Sequence, residues 1–419
     1  MRLAVTLYQS RIGWLVQDGR GNFDFKLDEA VLERYGLAST VMSIAVPLLI
    51  KANPKHTLRR RNFFAELLPE GSLREYLAQA AQKDRNDVFG LLSHYGLDLA
   101  GALEIYPEDC ETQTAQTPKP YSKPIDDTYV RYLLENIPLF PLANEGRTGK
   151  TSLGGMQLKI VLEHTNKKGW AQVHNGQPST HILKPPSPDY PTLTFDEAWG
   201  LDVARACGLI MYGSEVKDFD GLPTLVIQRY DRDPVVPGAR IHQEDFNQVL
   251  GASGSQKYQE MGGRVSLARI VEVLKQFSTA ESHIDLAKQV LFSVAIGNLD
   301  MHAKNISILH YPDERIALAP AYDLVPLQHQ NTDGRLALGI GGEYVLKNLS
   351  LTRIIKEFMS WDAPAFNNAA DTRLFSVDFL KQVGTIVDAV SPHQLAHAQL
   401  ATQVSRNISR LIDGKRIGS

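Results

Sequence analysis

The chain has 419 residues, 43% of them hydrophobic and 22% charged, with a net charge of −3. Such a chain is long enough for two or three domains with sizeable cores, and its balance excludes disorder, fibre and any global attraction to nucleic acid or to an acidic membrane surface. Cys110 and Cys207 stand far apart in unlike contexts, the first residues turn polar early, and the best apolar run, residues 41–50, is short and broken by Pro47; a cytoplasmic protein without disulfides and without a membrane partner is expected.

Residues 2–25 read as short strands: Leu3, Val5 and Leu7 alternate, and Asp18-Gly19 and Gly21-Asn22 supply turns. Phe63, Phe64, Leu67 and Leu68 then recur at helical spacing, ended by Pro69 and Gly71. The preceding Arg59-Arg60-Arg61 is expected to be a solvated helix start rather than a nucleic-acid patch. Helices are expected around residues 72–82 and 87–95, and residues 98–105 close an N-terminal α/β subdomain, 1–108. The composition of residues 109–127 shifts to Pro, Thr, Gln, Asp and Lys, as in a surface linker, and Asp126-Asp127-Thr128 can cap a helix over 129–137.

Gly149-Lys150-Thr151 ends like a Walker loop, but Asn144 stands where its first glycine belongs, and Gly154-Gly155 leads toward a strand at 159–162 instead of a helix. A P-loop NTPase is therefore not expected. A glycine-containing turn between strands is, and its backbone at Gly154 and Gly155 could either approach phosphates or turn a hairpin with no ligand. Lys184 follows on a short strand, as does the kinase lysine that pairs with nucleotide phosphates; a snorkelling surface lysine reads the same way. Helix 195–207 has an inner face of Ala198, Val203 and Ala206, with Glu197 either pairing with Lys184 or exposed. Residues 224–230 form a buried-type strand ending at Asp231-Arg232-Asp233-Pro234, where a two-lobed kinase has its hinge. Helices are then expected over 243–250, 266–277 capped by Ser266, 284–296, 379–390 and 393–412. A strand-rich part, 128–232, thus precedes a helix-rich part, 233–419, in a bilobal α+β layout.

At the end of helix 284–296 comes Gly297-Asn298-Leu299-Asp300-Met301-His302-Ala303-Lys304-Asn305, before a strand-like 306–309. Asp300 and Asn305 have the Asp-x-x-x-x-Asn spacing of the protein-kinase catalytic loop, in which the Asp takes the hydroxyl proton and the Asn holds a metal. Asp323, in Tyr322-Asp323-Leu324, falls where a second magnesium-holding carboxylate belongs. A polar helix-to-strand turn capped by Asp and Asn accounts for the loop alone equally well. The histidines show no metal-ligand spacing.

Together these stretches resemble the HipA-type serine/threonine kinases, the toxin half of bacterial toxin–antitoxin pairs. The likeness is carried by residues 62–71, 98–102, 152–159 (Ser152-Leu153-Gly154-Gly155-Met156-Gln157-Leu158-Lys159), 181–184, 229–232, 243–245, 297–305 and Tyr322-Asp323. The resemblance implies a protein-kinase-like fold with an extra N-terminal subdomain. It implies ATP held by Gly154, Gly155, Met156, Gln157 and Lys159, with Lys184 at the phosphates and Gln228, Arg229 and Tyr230 as hinge. It implies Asp300 as catalytic base, Asn305 and Asp323 as Mg2+ ligands, and His302, Lys304 and Tyr322 close to the nucleotide. Ser152 falls on the position whose autophosphorylation inactivates the family's kinases, with Thr148 and Thr151 as neighbouring hydroxyls; Met156 stands where an alanine is usual. The implied partners are a small helix-turn-helix antitoxin on a separate chain, operator DNA through that complex, and a protein substrate of the translation machinery such as an aminoacyl-tRNA synthetase. A small-molecule kinase and a non-enzymatic co-repressor partner of the antitoxin remain alternatives.

Overall fold

Leu3, Val5 and Leu7 point to one face of strand β1 (Arg2–Leu7) and are fully buried, because a strand presents alternate side chains to one side. Tyr8 and Gln9 take φ of 49° and 64°, a two-residue hairpin that returns the chain into β2 (Ser10–Gln17). With β3 (Phe23–Leu27) and β4 (Leu103–Pro107) these make an antiparallel sheet in the order β3-β2-β1-β4. The computed structural model describes residues 1–108, 119–165, 169–233, 235–236 and 238–419; Cys110, Pro234 and most of the expected linker lie outside them. The described residues fall into two compact units. One comprises Met1–Pro185, Lys217–Gly254 and Leu309–Arg315; the other comprises Pro186–Val216, Ser255–Ile308 and Ile316–Ser419.

In the first unit, helices α1 (Leu32–Tyr35), α2 (Thr57–Ala65), α3 (Gly71–Ala80) and α4 (Val88–Tyr95) accompany this sheet. Phe63, Phe64, Leu67 and Leu68 are buried as their spacing requires, with Phe64 stacked on Phe25 at 5.9 Å. The arginines correct the expected solvated start. Arg60 is buried and grips Asp24 with two hydrogen bonds of 2.7 Å, Arg61 donates to the Phe23 carbonyl, and Arg59 donates to that of Val249. Helix α5 (Asp127–Glu135) is capped by Asp126, which accepts from the Tyr129 amide. A second sheet has the order β5-β7-β6-β8-β10-β9, built from β5 (Tyr121–Pro124), β6 (Ile160–Thr165), β7 (Gly169–His174), β8 (His181–Lys184), β9 (Ser214–Phe219) and β10 (Leu222–Gln228). The expected helix 243–250 is instead β11 (His242–Asp245) followed by α7 (Phe246–Val249), because Asp245 and Gln248 form a capping box that starts the helix only there.

The second unit is mainly helical: α6 (Leu193–Ala206), α8 (Leu267–Phe277), α9 (Glu281–Ile296), α10 (Leu351–Ser360), α11 (Ala369–Ala389) and α12 (Leu400–Ile412). Helix α9 is buried almost throughout and packs against α8, α11 and α12, so it is the axis of this unit. In α6, Ala198 and Val203 face inward as expected, but Ala206 is exposed and Glu197 fully buried. Helix α11 begins well before the expected residue 379, at the Asn368 cap, and α10 was not expected at all. Strands β12 (Ser307–His310), β13 (Ile316–Leu318), β14 (Arg335–Ile340) and β15 (Glu343–Val345) complete the elements, the last two as a hairpin. Among the described residues no helix is long and apolar enough to cross a membrane.

The first unit contains a buried ionic quartet. Asp98, Arg229, Asp231 and Arg232 are almost without solvent exposure; Arg232 reaches Asp98 at 2.8 Å and Arg229 reaches Asp231 at 2.7 Å. Remaining polar atoms find partners: Arg229 donates to Ser179 and to the Leu99 carbonyl, and Asp231 accepts from the Gly101 amide. Burial pushes both carboxyls upward, but the guanidiniums outweigh it and hold Asp98 and Asp231 below the usual carboxylate range. We expect Asp98→Asn to cost about 3–5 kcal/mol, because it strands buried arginine charge, seen as a lower urea midpoint near neutral pH. The carboxyls' contribution is fully present above their unfolded value of 3.8 and is lost as pH falls through the lower folded values. The midpoints of wild type and variant should therefore converge in acid; a constant gap would contradict the ionic account.

Candidate functional site

The predicted nucleotide residues of the first unit are built around the segment Thr151 to Lys159. It does not join two strands, as expected, but runs from the turns after α5 into β6, and Thr151 forms a parallel bridge to Asp98. The Ser152 amide donates to the Asp98 carbonyl at 3.0 Å and its hydroxyl to the Leu67 carbonyl at 3.0 Å, so Ser152 is fully buried. The Thr151 hydroxyl reaches the Asp98 carboxylate at 3.2 Å, and the half-buried Thr148 hydroxyl lies 3.0 Å from His174. Gly155 has φ of 102°, and a Cβ there would come 2.6 Å from the Lys159 amine, which donates to the Gly154 carbonyl. Only glycine fits that close, left-handed approach. Met156 is exposed and Gln157 half-buried on the same turn.

Lys184 ends β8 opposite Leu225 of β10 and is only 6% exposed, which removes the surface-lysine reading. Gln228 ends β10, and Arg229 and Tyr230 follow it. Here the expectation needs narrowing. The Arg229 side chain is spent in the quartet and its amide donates to the Thr180 carbonyl.

In the second unit the residues of loop 297–305 and of Tyr322-Asp323 are brought together. Helix α9 ends at Gly297, whose φ of 71° is the left-handed cap that turns the chain out of the helix. Asn298, 2% exposed, accepts from the Asp300 amide at 3.0 Å and donates to the Asp323 carbonyl at 3.4 Å. The Asp300 carbonyl accepts from the His302 amide at 2.7 Å and from the Asn305 side chain at 2.9 Å. The Tyr322 hydroxyl donates to the Lys304 carbonyl at 2.6 Å and meets Ser307 at 2.5 Å. Asp323 has φ of 55°, a left-handed conformation that costs a non-glycine residue energy and is kept where surrounding contacts over-determine it. One of those contacts comes from Tyr212, just after α6, which donates to the Ala321 carbonyl at 2.7 Å. His302 lies with its Nε2 3.8 Å from Asp300 Oδ2; burial first, then the charge of the buried Lys257, push its imidazole down to about 3. His302 and Lys304 are both buried, whereas the Asp300 carboxylate stays open to solvent.

The donor set suits Mg2+. Asn305 donates through its side-chain amide to the Asp300 carbonyl at 2.9 Å, so the atom it would turn to a metal is its side-chain oxygen. Among the described residues no group of three His, Cys, Asp or Glu is placed to hold a metal. Sequence reasoning missed Asn298 as a structural member of the site, although an Asn after a helix-ending Gly is a known turn signal. It also missed Lys257, which carries no local motif.

Residues 151–390 match the HipA-like C-terminal domain, and residues 3–106 match the HipA N-terminal domain. The Sinorhizobium fredii protein named Putative kinase Y4mE is 34% identical over 344 residues, covering 81% of this chain and 80% of its own. The serine/threonine-protein kinase toxin HipA of Shewanella oneidensis is 27% identical over 297 residues, 67% of this chain and 66% of that protein. A chain of the solved Shewanella oneidensis MR-1 complex of HipA, HipB and its operator DNA superposes with a TM-score of 0.76 at 23% identity, over 98% of this chain and 96% of that one, a likeness of fold.

Asn298→Ala would leave the Asp300 amide and Asp323 carbonyl without their side-chain partner. We expect a loss of about 1–3 kcal/mol, measurable as a lower denaturant midpoint; an unchanged midpoint would mean that water replaces the amide.

Proposed function

This chain belongs to the HipA-like family, and from that premise we propose that it is a Mg-ATP-dependent protein serine/threonine kinase, the toxin of a toxin–antitoxin pair. The observation that carries this reading is the joint anchoring of Asp300, Asn305 and Asp323 in the second unit, through Asn298 and the hydrogen bonds of Asp300. In this reading Asp300 orients the acceptor hydroxyl and takes its proton as the oxygen forms its bond to the γ-phosphorus and the bond to the ADP oxygen breaks. Mg2+, when bound by Asn305 and Asp323, supplies charge neutralisation for the phosphate oxygens. Lys184 offsets charge on the transferring group, and the buried Lys304 adds a second cation. Gly154, Gly155, Met156, Gln157 and Lys159 hold the triphosphate. The backbone of Gln228, Arg229 and Tyr230 receives the adenine, and His302 and Tyr322 shape the remaining contacts. The open, glycine-dependent turn at Gly155 and the buried amine of Lys184 both suit such a ligand.

Autophosphorylation at Ser152 would act as an off-switch for a physical reason. In the docked loop the Ser152 hydroxyl donates to a carbonyl. A phosphoserine brings about −1.5 to −2 charges and only acceptor oxygens, so it would face that carbonyl with no hydrogen to share and keep the loop from docking again. Thr151, whose hydroxyl engages the buried Asp98, and Thr148, beside His174, are the neighbouring hydroxyls that the same test covers. The partners that follow by family are a helix-turn-helix antitoxin, operator DNA through it, and a protein of the translation machinery, in the cytoplasm.

Asp300→Ala should abolish transfer of label from ATP to proteins of a host lysate while leaving the denaturation midpoint unchanged; undiminished labelling would end the kinase assignment. Intact-mass analysis after incubation with ATP should find a single added phosphate that is absent from Ser152→Ala, and a phosphate that persists in the variant would move the switch elsewhere.

A further inference from the structure

Helix α12 packs against α9, and its Asn407, 2% exposed, reaches the end of that helix. The last four carbonyls of a helix have no partner within it. In α9 the Asn298 amide meets the Ser293 carbonyl at 2.8 Å, and the Gly297 amide meets the Val294 carbonyl at 3.2 Å. The Ala295 carbonyl is met from another helix, by Asn407 Nδ2 at 3.1 Å. The same nitrogen donates to Gln328 Oε1 at 2.6 Å. Gln328 in turn lies across Gly297, where an added Cβ would come 2.7 Å from the Gln328 Cβ. The neighbouring Leu327 amide donates to the Gly297 carbonyl at 3.0 Å. The segment that carries Asp323 is thus fastened to the start of loop 297–305 at both ends. Asn298 holds it at the Asp323 carbonyl, and Gly297 holds it at Leu327 and Gln328. Asn407 closes the second fastening.

From this geometry, and resting on the kinase reading above, we infer that Asn407 and Gln328 are positioning residues, through which helix α12 sets Asp323 against the catalytic loop. The Asn298 contact to Asp323, at 3.4 Å, is long for an N–H···O bond. Alone it is a weak restraint on a residue held at φ of 55°. Tyr212 fixes the chain ahead of Asp323, at the Ala321 carbonyl, and Asn407 fixes it behind, at Gln328. Without the Asn407 amide, Gln328 can swing off Gly297 and Asp323 can leave its left-handed conformation. Two groups that transfer needs in register would then drift apart, and the loss would fall on the transfer step.

The test uses the full chain and Asn407→Leu, which keeps the volume and removes both hydrogen bonds, at a temperature where every variant is folded. The rate of label transfer from Mg-ATP to host-lysate protein at saturating ATP should fall about 10- to 100-fold, with KM for ATP within about twofold of wild type. Gln328→Leu should do the same, and the double variant should be no slower than the slower single one, because the two residues act through one contact. Hydrogen exchange read by mass spectrometry should quicken in peptides covering residues 323–330. Val404→Ala, at another buried position of α12, should lower the denaturation midpoint but leave the transfer rate and this exchange as in wild type. An Asn407→Leu rate equal to wild type overturns the inference and leaves the kinase reading standing. Equal losses of rate in Asn407→Leu and Val404→Ala, or additive losses in Asn407→Leu and Gln328→Leu, reduce Asn407 to a structural role and overturn it too. A wild-type chain that transfers no label overturns the kinase reading, and the positioning role with it, whatever the exchange shows.

Discussion

Two carboxylates and two guanidiniums are withdrawn from water together at the centre of the first unit, and most of what surrounds them is placed by that requirement. Charges buried in this way are tolerable only if every one is paired and every remaining lone pair or proton is used, and the quartet of Asp98, Arg229, Asp231 and Arg232 meets the condition with carbonyls from Leu99 and Gly101 and with Ser179. The same demand fixes neighbours that have no charge of their own. Gly101 must present its amide to Asp231, and the backbone at Asp98 must lie where its carbonyl receives Ser152. Well-packed apolar residues could match such a network in stability. What the quartet adds is direction: it joins the turn after α4 to the end of β10 and to the start of the loop that ends at Lys159, in one arrangement.

In the second unit the governing constraint is turn chemistry at the end of a mostly buried helix. Helix α9 cannot shift, because nearly all of its side chains are packed. Gly297 ends it in a left-handed conformation, and Asn298 then serves two masters, the Asp300 amide and the Asp323 carbonyl. Asp323 is held in an unfavourable backbone conformation between Asn298 and the Tyr212 contact to Ala321. Strain of that kind survives only where packing leaves no cheaper alternative, and here it lies at the residue that the spacing of the sequence had already singled out. The α+β fold around it is the one shared with the HipA family.

Local signals were legible wherever a short pattern decides the outcome. Strand β1, the Asp126 and Ser266 caps, a turn between a helix and a strand at residues 297–305, and the place of Lys184 on a strand all appear as read. The misreadings share a cause. Arg59, Arg60 and Arg61 looked like a solvated run because their partners, Asp24 and the carbonyls of Phe23 and Val249, lie up to 190 positions away. Glu197 looked like an even choice between exposure and pairing, and it is buried. The Arg229 side chain carried no local sign of the buried ion pair it makes with Asp231. The helix expected from 243 started late because a capping box at Asp245 outweighed the apolar spacing that preceded it.

By itself the sequence determined which residues could perform the chemistry: an Asp and an Asn on one loop, a second Asp after a strand, a lysine in an apolar strand and glycines at a turn. Those depend on spacing along a few residues, where backbone geometry leaves few choices. Only the tertiary structure decided that Asn298 ties Asp300 to Asp323, that Asn407 ties the end of α9 to Gln328, and that Asp98 stands at the centre of a buried ionic network. Each of these is a pairing between distant segments, and the free energy of such a pairing comes from partners excluded from water together, which no pattern of neighbours along the chain records.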